Sequence, residues 1–600
     1  MQNKKKILDH LISEKWLWIL IVILTFSGIF DHDLWEPHEY REAGVAYEMA
    51  HNKNFIVPHL AGKPFVEKPP LFYFFLALGY LLTGFNAARI FRFLCALWSL
   101  GTLFIVFKSG KILFKDNLKR GSLTAALILA TSLGFLRLSH FIIVDILLAF
   151  FVSLAYFYFL KVVKGNNKYS LFLFFASVTG SFLTKGLIGP LFIFGGIGLY
   201  ILVSRKWGLI KKILYMPGIL FFIFTALLWL IPFYLWDKGG VFKIWFWDQH
   251  FGRFTGTAYG HKQVSGEAVT QLLISLFPWT IAFFVGVIYY FRSKTSLKLR
   301  SLSLKSPWIL IFCWGIFGMM FLSLSRSFRS VYLLPLLPAW ALIMSLIISS
   351  GKKEISFIKF GAGLILFFIL TINISFPFIN RYKAINDSIL SINDHVSIKS
   401  DVIGWQLSES ISGIIPIYTK RFVYNIKEPS FYDPEFKSIR NKDFYSYLNS
   451  RFDMWIVGEF DLTFFPSKKI YYSILFPEII DEYLIFKKNV YVITTKDHVI
   501  NLKPRLKIYM SNLYDLSENR YFLKRFYVED IFSFNDIFPV IEDKTSYRIP
   551  LKAFYANSIM FPENLNIVMK IEKEIPFYPN RSIEEQEDFI CICRKIYNAG

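Results

Sequence analysis

The sequence predicts a polytopic α-helical membrane protein that ends in an α/β domain outside the membrane. Hydrophobic residues make up 54% of the 600 residues, and the mean hydropathy of +0.42 is too high for a string of soluble domains. Eleven mostly apolar stretches are each long enough to span a bilayer, and the composition turns polar past Phe378. We therefore divide the chain into a membrane domain, residues 1–378, and a C-terminal domain, residues 379–600.

The first apolar stretch follows a basic N-terminal segment and has no small-x-small cleavage site after it, so we predict a retained span rather than a signal peptide. The run Leu71–Gly84 is treated differently. Its 14 residues rise about 1.5 Å each and cover roughly 21 Å of a bilayer core about 30 Å thick. We interpret it as interfacial or re-entrant. The eleven predicted spans lie near residues 16–30, 88–107, 121–136, 141–160, 169–184, 187–204, 213–235, 267–291, 307–324, 331–350 and 356–378.

The distribution of basic residues sets the orientation of these spans. With the N-terminus inside, the inside segments hold 23 Lys and Arg in 64 residues, whereas the outside segments hold 12 in 100 residues. The positive-inside rule favours this arrangement, and a spanning 71–84 run would reverse it. The first loop (31–87), a large loop (236–266) and the C-terminal domain are therefore expected outside. The net charge of +23 is then a topological signal, so no nucleic-acid partner is predicted.

The C-terminal domain alternates β-like runs with helix-compatible segments. FDMWIVGEF and NVYVITTK are typical of strands, and DPEFKSIRNKDFYSYLNS of a helix, which predicts an α/β domain. We find no chemical motif in it. The four cysteines of the chain supply neither a disulfide framework nor the spacing of a zinc site.

Ionisable residues collect at the predicted outer face of the membrane domain. Charged groups at membrane depth are costly and usually face a polar cavity or a partner. Because these residues come from separate loops and span ends, we expect them to form one site. They are Glu36, His38, Glu39, Glu42, Glu67 and Lys68 in the first loop, Asp145 and Lys185 at two span ends, and Arg326 and Arg329 in the loop SRSFRS.

The order of short motifs resembles the polyprenyl-phosphate-dependent GT-C glycosyltransferases. The motifs are W-x-P-x-E-x-R, F-x-E-K-P-P-L, an Arg after a short apolar helix (Arg89), IIVDILLAFF, LTKG and R-S-x-Y-L-L-P, and they cover roughly residues 10–350. The resemblance is greatest to the lipid A aminoarabinose transferases, which are similar to the protein O-mannosyltransferases. It implies membrane-parallel helices in a large outer first loop and an outer C-terminal domain.

The first loop departs from the family pattern at one position. The family typically has Asp-Glu there, with the Asp as the catalytic carboxylate, and this chain has His38 followed by Glu39. Either Glu36 or Glu39 takes that role, or His38 serves as the base, or the chemistry is altered. We expect a carboxylate, because a mostly neutral imidazole offers no fixed negative charge to a positively charged transition state.

An external sugar transfer needs a donor that reaches the outer face, where nucleotide sugars are not supplied. A polyprenyl-phosphate sugar meets this need, and no nucleotide cofactor is predicted. Its phosphate leaving group requires cations, for which the candidates are Lys68, Arg89, Lys185 and Arg326 or Arg329. Asp145, with the first-loop carboxylates, is the candidate for accepting the acceptor's proton or stabilising charge at the anomeric carbon. Direct displacement would invert that carbon.

The resemblance also implies a divalent, zinc-like ion shared by Glu67 and a histidine of the large outer loop. That loop offers His250 and His261, and we favour His261 because it follows the RFTG element.

We therefore predict a glycosyltransferase that lies in the cytoplasmic membrane of a bacterium and has membrane lipids as its surroundings. The favoured acceptor is lipid A or another glycolipid, ahead of a protein hydroxyl. A flippase or lipid transporter is the alternative of another class; it would predict mid-membrane charges and a repeat relating the two halves. A non-catalytic scaffold is the third hypothesis, because of His38.

Overall fold

A computed structural model gives the structure of the protein. It describes residues 13–426 except 36–37, 115–119, 166–167, 237–238, 257–265, 293–302, 305, 350–353, 384–385, 391, 396–400, 406–407 and 422–423, and beyond residue 426 it describes six strands. The chain forms two compact units. One comprises Met1–Pro58 and Phe65–Asn380, and the other His59–Pro64 and Arg381–Gly600.

The secondary-structure elements described in the first unit are helices, as the long apolar runs predict. The helices are Glu14–Phe26, His38–Asn52, Leu71–Thr83, Ala87–Leu113, Gly121–Ala130, Leu133–Ser139, Val144–Lys164, Lys168–Lys185, Ile188–Ser204, Gly208–Ile213, Met216–Trp236, Gly240–Lys243, Arg253–Thr255, Glu267–Ser275, Trp279–Arg292, Trp308–Leu324, Leu337–Ser349 and Glu354–Lys383, with a π-helix at Ile244–Gly252 and a 3-10 helix at Ser330–Leu333.

Among the described residues, four helices are long and apolar enough to cross a membrane, and the number is six if each of two bent helix pairs counts as one span. Each of the eleven predicted spans coincides with a helix or with a bent pair. The polytopic helical membrane fold is therefore confirmed, whereas the count of eleven stays a prediction. Leu71–Thr83 is a helix of 13 residues, and its interfacial placement stays a prediction as well.

Two predicted spans are broken rather than straight, and the breaks meet. Gly121–Ala130 and Leu133–Ser139 are bent by 64°, and Glu267–Ser275 and the helix after it by 99°. At the contact, the Leu133 amide donates to the Phe277 carbonyl (2.9 Å), and the Trp279 indole N–H donates to the Thr131 hydroxyl (2.8 Å). Each break thus supplies partners to backbone and side-chain groups of the other, which an apolar environment requires.

The core of the first unit lies around the helix Val144–Lys164, which packs against Ala87–Leu113 and Lys168–Lys185. By contrast, Met216–Trp236 exposes large apolar side chains such as Phe224 (64%) and Leu235 (68%). Exposed apolar side chains of this size would be unfavourable on a surface in contact with water, whereas lipid accommodates them. The exposed face is thus the one expected to contact membrane lipids.

The second unit contains a mixed sheet and short helices. The sheet has six strands in the order β4 (Tyr424–Ile426), β3 (Asp401–Trp405), β5 (Val490–Thr495), β10 (Phe589–Ala599), β9 (Leu565–Pro576) and β8 (Ser546–Pro550). Strand β3 pairs in parallel with β4 and β5, and the remaining pairs are antiparallel. The helices are Asn386–Leu390, Ile392–His395 and Glu409–Thr419.

Two two-stranded sheets complete the described part of the second unit, β1 (His59–Leu60) with β2 (Lys63–Pro64) and β6 (Leu513–Asp515) with β7 (Phe522–Lys524). The predicted strand NVYVITTK corresponds to β5. The predicted strand FDMWIVGEF and the predicted helix DPEFKSIRNKDFYSYLNS lie outside the described residues.

Candidate active site

Asp145 and Lys185, which the sequence predicts to lie in one site, form a largely buried ion pair. Asp145 lies in the first turn of Val144–Lys164 and Lys185 in the last turn of Lys168–Lys185, so each charge lies at the helix end of opposite partial charge. The Lys185 ammonium donates to Oδ1 of Asp145, and their side chains are only 15% and 5% exposed. The ammonium also lies 4.4 Å from the centroid of the Tyr332 ring, a cation–π contact.

Glu42 organises a second group of charges in the first loop. It lies one turn into the helix His38–Asn52 and is buried. It accepts hydrogen bonds from the Lys68 ammonium, from the Tyr73 hydroxyl (2.5 Å) and from Nη2 of Arg41 (3.3 Å). Burial alone would raise the pKa of Glu42, but Lys68 and Arg41 outweigh it and lower the pKa to about 2.

Glu67 extends this group toward the large outer loop. Its Oε2 lies 3.5 Å from Nη1 of Arg41, and its Oε1 lies 3.3 Å from Nη2 of Arg253. We call Arg41, Lys68, Arg253, Glu42 and Glu67 the basic cluster. It contains three cations and two carboxylates, so its formal charge is positive, and a phosphate group would complete the charge balance.

His38 is under the electrostatic influence of the basic cluster and of Arg329. His38, half-buried, opens the helix that carries Glu42. Burial lowers the pKa of His38; Glu42 opposes that shift, while Arg41, Lys68 and Arg329 add to it. Arg329 lies three residues before Tyr332, whose ring contacts Lys185. The Arg329 carbonyl accepts a hydrogen bond from the Tyr332 amide (2.9 Å). The lowered pKa favours the neutral form of the imidazole near pH 7.

Glu39 is fully engaged in a separate buried ion pair. Arg92, with no exposed surface, donates to both Glu39 oxygens at 2.7 and 2.8 Å. The amides of Trp35 (2.9 Å) and Ile142 (3.1 Å) donate to the same carboxylate. Arg92 also donates to the carbonyls of His32 and Asp33 at 2.6 and 2.5 Å. This arrangement ties the first loop to the segment just before Asp145.

The structure does not bring every predicted residue into the site. Arg89, expected to bind phosphate, has an exposed side chain, and the buried arginine of the same helix is Arg92, one turn later. Arg326 is likewise exposed, whereas Arg329 is half-buried. Glu36 and His261 lie outside the described residues.

Four members of the site escaped the sequence prediction, although three belong to motifs that it contains. Arg41 is the last residue of W-x-P-x-E-x-R, and Tyr332 is the tyrosine of R-S-x-Y-L-L-P. Arg253 is the first residue of the RFTG element, whereas Arg92 gave no signal beyond a charge beside apolar residues, because its partners are distant in the chain.

The predicted metal pair falls partly outside the described residues, because His261 is not among them. Both oxygens of Glu67 face guanidinium groups, which disfavours a dication at that carboxylate. No group of three His, Cys, Asp or Glu able to hold a metal ion occurs in the described part of the chain. The ion shared by Glu67 and His261 stays a prediction, and no chemical step is derived from it.

The fold is that of a polytopic helical membrane protein. The chain can be superposed on the crystal structure of ArnT from Cupriavidus metallidurans bound to undecaprenyl phosphate with a TM-score of 0.65. That superposition covers 83% of this chain and 96% of the other at 16% sequence identity. At this identity the match establishes a shared fold.

Sequence comparisons identify the relatives. Residues 67–236 match the family described as dolichyl-phosphate-mannose-protein mannosyltransferase. The chain is 22% and 25% identical to undecaprenyl phosphate-alpha-4-amino-4-deoxy-L-arabinose arabinosyl transferases of Serratia proteamaculans and Pseudomonas aeruginosa; each alignment covers 55% of this chain, and 58% and 59% of the relatives. The chain thus matches less than two thirds of their length. The predicted resemblance to the polyprenyl-phosphate GT-C glycosyltransferases is confirmed.

Proposed function

We propose that the protein is a glycosyltransferase that moves a sugar from a polyprenyl-phosphate donor to an envelope acceptor at the outer face of the cytoplasmic membrane. The Asp145–Lys185 pair, which is largely buried and contacts the Tyr332 ring, is the observation that carries this proposal. Two relatives are transferases of an undecaprenyl-phosphate-linked sugar by name, which supports the same donor class here.

The basic cluster is suited to hold the donor phosphate. Arg41 and Arg253 present guanidinium groups, whose paired N–H donors match phosphate oxygens, and Lys68 adds a compact charge. In the free protein Glu42 and Glu67 compensate these cations. When the donor binds, its phosphate shares the three cations with the two carboxylates. The cations therefore have anionic partners both before and after the reaction.

The transfer itself is a single displacement. The acceptor oxygen bonds to the anomeric carbon while the bond from that carbon to the phosphate oxygen breaks, and polyprenyl phosphate leaves with the bonding electron pair. The acceptor loses its proton to Asp145 or to His38. Lys185, beside Asp145, is placed to stabilise the negative charge that develops on the departing phosphate. Such stabilisation is strong in a poorly hydrated site. The anomeric configuration inverts.

Of His38 and Glu39, His38 is the better suited to take part in the chemistry. Glu39 already accepts four hydrogen bonds within its ion pair, and withdrawing it would leave Arg92 buried and unpaired. His38 has a lowered pKa and lies among Arg41, Lys68 and Arg329. We therefore assign Glu39 to positioning, in place of the catalytic role expected from the sequence.

The favoured acceptor is lipid A or another glycolipid, and the favoured location is a bacterial inner membrane with the C-terminal domain in the periplasm. Mass spectrometry of the host's envelope lipids and proteins, with the gene deleted and then restored, tests this proposal. We expect one glycolipid to lose a sugar mass on deletion and to regain it with the wild type but not with Asp145→Asn. A sugar mass lost from a protein would redirect the proposal to a protein acceptor, and an unchanged envelope would contradict the transferase.

A further inference from the structure

The turn that follows Lys185 is held by a histidine from the large outer loop. Lys185 is the last residue of its helix, and the next helix starts at Ile188. Between them, the amide of Leu187 donates to Nε2 of His250 at 3.1 Å. His250 is thus attached to the backbone two residues after the lysine of the candidate site.

His250 is itself fixed in one orientation. Its Nδ1 donates to the carbonyl of Trp245 at 2.8 Å, so Nε2 is left as the acceptor for Leu187. Burial lowers the pKa of His250 and favours this neutral tautomer. Trp245 is only 2% exposed and packs edge-on against Trp229, with ring centroids 5.0 Å apart. The imidazole is therefore supported by a rigid aromatic core.

Gly186 completes the contact from the other side. Its φ of +69° is a conformation that glycine adopts without strain. A Cβ at this position would lie 2.3 Å from Nε2 of His250 and 3.2 Å from the Trp245 ring. The glycine of the LTKG motif is thus required both by the turn and by the close approach of the imidazole.

We propose that His250 is a positioning residue that fixes the turn after Lys185 and thereby aims the Lys185 ammonium at Asp145 and Tyr332. This inference rests on the proposed function, because it assigns His250 a role at that site. A lysine side chain has many rotamers, and the direction of the backbone at the helix end decides which of them reach Asp145. A displacement of about 1 Å at such a group can cost on the order of a hundredfold in rate.

The inference is tested with undecaprenyl phosphate, the lipid phosphate that the proposed reaction releases. Its affinity for the purified full-length protein in nanodiscs is measured for the wild type, His250→Ala, His250→Gln and Trp247→Ala. We expect His250→Ala to weaken binding at least about tenfold and His250→Gln to restore most of it, because the glutamine oxygen can accept from Leu187. Trp247, in the same π-helix and 59% exposed, is the matched control and should bind as the wild type does.

The outcomes separate this inference from the proposed function. A wild type that does not bind undecaprenyl phosphate would contradict the proposed function. A wild type that binds, together with a His250→Ala variant that binds equally well, would contradict the positioning role alone. Equal losses in the alanine and glutamine variants would also contradict it, since rescue requires only the hydrogen-bond acceptor.

A second measurement does not depend on binding. The rate at which a thiol reagent labels Lys185→Cys should change when His250→Ala is added and stay constant when Trp247→Ala is added. If His250→Ala fails to fold, the same comparison is made with Gly186→Ala, which disturbs the contact from the opposite side. In affinity, we expect Gly186→Ala and His250→Ala to be non-additive; losses that multiply would show that the two residues act independently and would overturn the inference.

Discussion

Replacing Glu39 by glutamine is the change that best distinguishes a positioning carboxylate from a catalytic one. The substitution keeps the shape of the side chain but removes its charge. It also turns one acceptor oxygen into an NH₂ group that faces existing donors from Arg92 and the backbone. Arg92 would then lie buried without a counter-charge.

The size of the effect follows from the burial of both partners. Glu39 is 1% exposed and Arg92 0%, and breaking a buried pair by removing one partner costs about 3–5 kcal/mol. Arg89→Gln is the matched control, because Arg89 lies on the same helix but is exposed; its cost should stay within about 0.5 kcal/mol.

Thermal unfolding in detergent, followed by size-exclusion chromatography, measures both variants against the wild type. We expect Glu39→Gln to unfold at a clearly lower temperature and the double variant Glu39→Gln/Arg92→Gln to recover part of the loss. A Glu39→Gln variant that is as stable as the wild type yet loses sugar transfer would refute this reasoning and return Glu39 to a catalytic role.

Three further predictions concern the site and the topology. Asp145→Asn and Lys185→Ala should each lower the transfer rate about 10²–10³-fold while the protein still folds; near-normal turnover in either would remove that residue from the chemistry. The pKa of Glu42 is about 2 in the folded protein against an ordinary value near 4.3, so the ionised carboxylate should add about 3 kcal/mol to the free energy of unfolding above about pH 5, and this stabilisation is lost as the pH falls toward 2. The unfolding temperature should therefore fall on the acid side for the wild type and fall less for Glu42→Gln. An equal fall in both proteins would count against the ion pair. A cysteine at Asn54 should react with a membrane-impermeant thiol reagent in intact spheroplasts, and protection there would reverse the predicted orientation.

The positions of the spans could be predicted from the sequence because apolar composition is a local property. The breaks within two of them could not, since each depends on a partner in the other: the Thr131 hydroxyl receives the Trp279 indole, and the Phe277 carbonyl receives the Leu133 amide. Neither partner is signalled by its own segment.

The same limit applies to the charges. The motifs around Asp145 and Lys185 predicted that both residues belong to the site, and the ion pair between them follows from two helix ends at one face. The sequence predicted Arg89 as a phosphate ligand and gave no sign of Arg92, because exposure along one helix depends on what packs against it. The carbonyls of His32 and Asp33, which bind Arg92, come from a distant segment. Hydropathy carries no information about such contacts.

The central claim is that this site transfers a sugar from a lipid phosphate. It is tested most directly with purified protein in proteoliposomes that contain radiolabelled polyprenyl-phosphate sugars from the host, together with the host's envelope lipids. We predict that the label moves from the polyprenyl phosphate to an envelope lipid with the wild type and stays on the donor with Asp145→Asn. Label that stays on the donor with the wild type, while the donor itself crosses the bilayer, would contradict the transferase and identify a lipid transporter.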